Sequence, residues 1–185
     1  MFINITSLKK SMKESYKYGK LVVGNVNGNL IISNGAFIAQ GRDQQETNEY
    51  KSAIVEFLGY LPKEGELYML EKGNIPQIRT DLTVLNLEEK SHNGSAKNTN
   101  FSYEELVIFQ NKKNKEKYFI DKQLFKILDP AKCESDECPP HDPILLNYGL
   151  IWKNETTILL ICQCRVSGKV FERLKDIDLL EEDKK

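Results

Sequence analysis

Residues 20–40 read KLVVGNVNGNLIISNGAFIAQ. Three short apolar runs, KLVVGNV, NLIIS and AFIAQ, are separated by Asn27-Gly28 and Asn34-Gly35. Asn-Gly supplies adjacent residues that tolerate positive φ, which a tight turn between twisted strands requires. The stretch therefore predicts a three-stranded antiparallel meander, and a chain built from hairpins rather than from parallel strand-helix units.

Upstream of it, FINI (2–5) predicts a short strand. The spacing of Ile5, Leu8, Met12 and Tyr16 predicts a helix, with Thr6 or Ser7 as its N-cap. Downstream, Tyr50, Ile54, Phe57, Leu58 and Leu61 recur at helical spacing from Thr47 until Gly59 and Pro62 end the run. ELYML (66–70) and LTVLNL (82–87) predict strands, and the polar run SHNGSAKNTN (91–100) predicts a loop or linker. If the chain divides, it divides there, into residues 1–95 and 96–185.

In the second half, EELVIFQ (104–110) and KYFID (117–121) flank NKKNKE (111–116) as a hairpin. Asp121 is placed to cap a short helix through Leu124, Phe125 and Leu128, which Pro130 stops. Two more strands follow, ILLNYGLIW (144–152) and TTILLICQCRV (156–166), turning at Asn154-Glu155, and Phe171, Leu174 and Ile177 predict a last helix. FINITSLKK (2–10) and YFIDKQLFK (118–126) each read as strand, cap and helix, with Phe2/Phe119, Ile3/Ile120 and Lys9/Lys126 in register, which suggests a duplicated module. The expected fold is α+β: antiparallel sheets with three or four helices.

The 185 residues carry 26 basic and 27 acidic side chains, 40% hydrophobic residues and a mean hydropathy of −0.47, an ordinary soluble balance with a net charge of −1. That balance argues against a strongly acidic nucleic-acid mimic and against a surface that is everywhere a polyanion trap. Apolar runs stay far below the ~20 residues of a membrane span, so the expected setting is cytoplasmic with no membrane partner. The four cysteines are then thiols or metal ligands rather than disulfides.

Cys133, Cys138 and His141 lie in one loop, and Cys162 and Cys164 alternate along a strand on the face of Ile158 and Leu160. Zinc takes four such ligands in a tetrahedron, but the spacings C-x4-C-x2-H and C-x-C are not the usual two-residue knuckle. The expectation is therefore no cofactor, with buried strand thiols beside an unrelated polar loop; the alternative is zinc, as part of a stabilised module or a zinc enzyme. No phosphate-cradling glycine motif and no nucleophile motif accompanies His92 or His141, so no catalytic residue is assigned and the chain is expected not to be an enzyme.

The lysines are more suggestive. Lys9, Lys13 and Lys17 recur every four residues on the first helix, with Lys10 and Lys20 nearby, and Lys112, Lys113, Lys115 and Lys117 gather at the second-half hairpin. Such stripes contact phosphates through charge, without reading sequence.

The opening order of strand, Lys-bearing helix and meander resembles one repeating unit of the DNA sliding clamps. KYFIDKQLFKILD, DPILLNYG and TTILLICQCRV together look like the closing unit of a bacterial clamp domain. The resemblance implies two clamp-like subdomains and a DNA-tracking accessory role, with Lys9, Lys13 and Lys17 on the DNA-facing helix. The short Lys/Asn/Ile-rich chain is also similar to accessory proteins of bacteriophages and mobile elements, anti-CRISPR inhibitors among them. That likeness implies a non-enzymatic binding protein that docks on a nucleic-acid-handling enzyme and touches its DNA or RNA nonspecifically.

Overall fold

The computed structural model describes residues 2–42, 48–74, 77–78, 94–129, 131 and 143–180. The predicted LTVLNL strand, His92, Cys133, Cys138 and His141 lie outside the described residues.

Asn4, not Thr6 or Ser7, caps the first helix, α1 (Ile5–Tyr18): its side-chain oxygen accepts from the Ser7 N–H at 3.0 Å. An extended backbone at Asn4 aims that oxygen at the open amides of the first turn. Leu8, Ser11, Met12 and Ser15 form the buried stripe of α1. The meander follows as β1 (Leu21–Val26), β2 (Asn29–Ser33) and β3 (Phe37–Arg42), with Asn27 and Gly28 at φ 52° and 71°, the left-handed pair that the Asn-Gly signal predicts. Next come α2 (Asn48–Leu58), β4 (Leu67–Leu70) and the two-residue β5 (Gln77–Ile78).

The polar run read as a linker contains a strand, β6 (Ala96–Tyr103). It sits at a sheet edge where most of its side chains meet water, so it carries no apolar alternation for the sequence to show. It is followed by β7 (Leu106–Asn111), β8 (Lys117–Asp121) and the one-turn α3 (Lys122–Phe125), whose cap is Asp121, accepting from the Gln123 and Leu124 amides at 2.8 and 3.0 Å. ILLNYGLIW is two strands rather than one, β9 (Ile144–Leu146) and β10 (Gly149–Lys153). β11 (Thr157–Cys162) and α4 (Gly168–Leu174) complete the order.

The strands form an eight-stranded antiparallel sheet, β5-β4-β1-β2-β3-β11-β10-β9, and a three-stranded sheet, β6-β7-β8. The sheets meet where Ser95 bridges Ile144. β3 and β11 pair in the interior of the large sheet, Ala39 opposite Leu159, so residues from both sides of position 95 share one sheet. They also share one core. Leu8 and Met12 of α1, and Tyr50, Ala53 and Ile54 of α2, pack with Leu21, Val23, Leu30 and Ile32, and the same cluster takes in Phe109, Tyr118, Ile120, Trp152 and Leu159. Trp152 sits edge-on to Phe109 at 5.8 Å and tilted against Phe125 at 6.1 Å, which ties the small sheet to the large one. Alternation places a second apolar cluster on the other face of the large sheet, including Val26, Ile31, Ile38, Ile151, Ile158 and Leu160.

The duplicated module is visible as geometry. Each half runs from a short extended segment through a capped helix into three antiparallel strands. The third strands, β3 and β11, pair with each other, and Ile3 of the first extended segment bridges Leu128, just beyond α3. The β2–β3 and β10–β11 turns match bond for bond. Asn34 accepts from the Ala36 and Phe37 amides and Asn154 from those of Thr156 and Thr157, while the Asn34 and Asn154 amides donate to the Phe37 and Thr157 carbonyls. The structure is therefore α+β, with antiparallel sheets and four helices among the described residues. None of those helices is long and apolar enough to cross a membrane.

Candidate binding surface

α1 turns Leu8, Met12 and Ser15 inward, and so turns its lysines outward. Lys9 is half-buried, and its ammonium lies 3.2 Å from one Glu56 oxygen while that of Lys13 lies 3.0 Å from the other. Glu56 projects from α2, which packs beside α1. The two lysines hold its carboxyl below the usual carboxylate range, mainly through the bond from Lys13 and then that from Lys9. Lys17 lies 4.6 Å above the exposed ring of Tyr18, and Lys20 pairs with Glu71 at 3.3 Å. Lys10 is exposed and has no ion-pair partner among the described residues. Lys10, Lys13 and Lys17, at spacings of three and four, are thus the outward charges of this face, with Lys9 turned to α2.

The second basic group is built on β7–β8. Its turn is locked by Asn111, whose side chain accepts from the Lys113 amide at 2.8 Å while its carbonyl accepts from that of Lys115 at 3.0 Å. Lys112 and Lys113 are exposed on this turn. Lys115 pairs with Asp178 at 3.0 Å. Lys117 is not at the tip: it opens β8, is 4% exposed, and its ammonium donates to the Lys175 carbonyl at 2.9 Å. Burial lowers its pKa, opposed by Asp178 and Asp176. The basic turn and the acidic C-terminal segment therefore face each other. Lys117 and Lys175 are 58 residues apart in sequence, with no pattern to join them.

No protein-family model and no curated protein matches the chain. Among solved structures it is similar to the crystal structure of the DNA polymerase III beta chain from Streptococcus pneumoniae TIGR4, with a TM-score of 0.41 and 10% identity, covering 95% of this chain and 67% of that one.

The cysteines part company. Cys162 ends β11 and packs with Ile158 and Leu160 as alternation predicts, its sulfur 3.5 Å from the Gly35 carbonyl oxygen. Cys164 lies beyond the strand, where alternation no longer applies, and its amide donates to the Phe119 carbonyl of β8 at 2.7 Å. Burial, then the negative charge of Asp121, pushes its thiol pKa up. Among the described residues no three His, Cys, Asp or Glu side chains converge as a metal site.

An open groove of about 400 Å³ runs between α1, the Asn34 turn and α3, lined by Ser11, Glu14, Tyr18, Asn34, Asp121 and Gln123 among others. The charged side chains in its lining are the carboxylates Glu14 and Asp121, which suit a polyanion poorly.

Proposed function

We propose that the protein is a non-enzymatic binding protein that engages a nucleic-acid-handling complex, touching phosphate backbone through Lys10, Lys13 and Lys17 of α1 and the Lys112, Lys113 and Lys115 turn. The observation that carries this reading is the exposure of cations on rigid supports. The side chains of Lys13 and Lys115 remain 62% and 56% exposed even while paired, the first on a helix whose opposite stripe is buried, the second on the turn that Asn111 bonds between β7 and β8. Cations held outward by a closed core bind anions without reorganising the fold. Phosphate-oxygen contact of this kind is blind to sequence and releases counterions, so its signature is salt dependence.

The test is fluorescence anisotropy of a labelled duplex DNA across a salt series. Wild type is expected to lose affinity linearly in log[salt], and Lys10→Ala/Lys13→Ala/Lys17→Ala to flatten the slope by about 0.9 per lost contact. An unchanged slope in the triple variant refutes the α1 face.

A second reading is a DNA-tracking clamp-like subunit. It is favoured by the paired strand-helix-meander modules joined at β3 and β11. It requires an assembly of several chains, so a monomeric mass in solution refutes it.

A further inference from the structure

Gln110 and Lys117 face each other across the β7–β8 ladder. They are 1% and 4% exposed, yet neither directs its polar atoms into the sheet. The Gln110 Nε2 donates to the Asp178 carboxylate at 2.6 Å, and its Oε1 accepts from the Leu179 amide at 2.9 Å. The Lys117 ammonium takes the Lys175 carbonyl, and Lys115 takes the second oxygen of Asp178. One carboxamide thus reads a carboxylate and the next backbone N–H together, while a lysine reads a carbonyl three residues before. By strand alternation Ile108 and Phe119 share this face, and both are buried, giving the polar readers an apolar floor.

The occupant is held lightly. α4 contributes no buried residue, and two large apolar side chains, Phe171 of α4 and Ile177 within the docked stretch, stay 42% and 46% exposed. An element fixed by polar bonds at its end, with no side chain in the core, lies at the low-stability end of the molecule. Polar groups covered by a segment are costly unless bonded to it, so whatever covers this face must offer Gln110 and Lys117 partners of this chemistry.

We propose that this face of the β7–β8 hairpin is a peptide-recognition slot for an acidic segment of a partner protein, Asp followed by an apolar residue, and that residues 175–180 are the resident occupant the partner displaces. A second copy of the chain offers only the same ligand, at an effective concentration far below that of the attached tail. A foreign segment with additional anchors is the occupant able to win. The slot deepens the binding-protein reading above and shares Lys115 with it, but the two fail separately: the slot's readout depends on Gln110, whereas the DNA salt slope is read on the α1 lysines.

The test uses the full chain and a fluorescein-labelled, end-capped peptide of sequence LKDIDLL as probe. Asp178→Ala loosens the resident tail, so it is expected to bind the probe about tenfold tighter than wild type, because less of the population is self-occluded. A probe with its second Asp replaced by Asn is expected to lose about tenfold on the same protein, which needs no variant that risks misfolding. Adding Gln110→Met to Asp178→Ala is expected to lose a similar factor, with far-UV circular dichroism unchanged. Equal probe affinity in wild type and Asp178→Ala overturns the proposal, as does indifference to the probe's Asp. A wild-type dimer that Asp178→Ala dissociates also overturns it, since the slot then belongs to a second copy's tail.

Discussion

Glu56→Gln separates the role of α1 in binding from its role in stability. Glu56 is a carboxylate at neutral pH, its carboxyl held still lower by Lys13 and Lys9, and its pairing with both turns Lys9 towards α2. Each pair is half-exposed and worth ~0.2–1 kcal/mol, and the shared carboxylate keeps the sum below about 1 kcal/mol. For a chain of this length the melting temperature should therefore fall by less than about 4 °C. DNA binding should move the other way. Freeing Lys9 adds one phosphate contact to those of Lys10, Lys13 and Lys17, steepening the salt slope by about 0.9. Between ~200 mM and ~50 mM salt one such contact multiplies affinity about 3.5-fold, so the ratio of variant to wild-type affinity should grow by about that factor over the range. Anisotropy titrations of one labelled duplex, run in parallel with thermal melts, measure both quantities. A variant that melts slightly lower but shows the wild-type slope refutes α1 as the phosphate-facing element.

Three further outcomes are expected. Trp152→Ala removes the aromatic hub between Phe109 and Phe125, which should cost about 3–5 kcal/mol and lower the melting temperature by roughly 10 °C, read by calorimetry. Burial, and then Glu116, pushes the Tyr118 phenol up to about 12 from 10.0, so the unfolded chain deprotonates first. Stability present below pH 10 should drain away as pH rises towards 12, seen as a falling urea midpoint, and Tyr118→Phe should lessen the fall. Purified protein analysed for metal should carry less than about a tenth of an equivalent of zinc; stoichiometric zinc lost on Cys162→Ser/Cys164→Ser would restore the zinc-module reading.

Where local chemistry dictates the backbone, the fold was legible. Asn27-Gly28 makes a turn in any context that offers two strands, and Asp121 caps whichever helix follows it. The sequence misled where tertiary position decides. In ILLNYGLIW the Asn147-Tyr148 turn is hidden in apolar residues, and the informative residue is Gly149, where a Cβ would collide with the Ile161 carbonyl and lie 2.9 Å from the Cys162 Cα. The strand in the polar run was invisible because an edge strand with outward polar side chains has the composition of a loop. The site divided in the same way. The α1 lysine stripe follows from helical spacing, whereas the turn of Lys9 towards α2 depends on Glu56, and the burial of Lys117 depends on a segment from the other end of the half. No periodicity within one element encodes a partner on another.

These pairings change what the lysines can do. With a net charge of −1, this chain sets an internal carboxylate against each of four candidate cations: Glu56 against Lys9 and Lys13, Glu71 against Lys20, and Asp178 against Lys115. An incoming anion is therefore measured against a resident one, and what is observed is the difference between the two affinities. A generic polyanion at physiological salt gains little from that exchange, because screening weakens exposed charge pairs of either kind. A partner that brings a well-placed carboxylate or phosphate together with apolar contact gains more, since only the charge term is contested. On the proposed reading, the same surface would bind DNA weakly and a matched protein more selectively, with the resident acids, rather than the lysines, setting the difference.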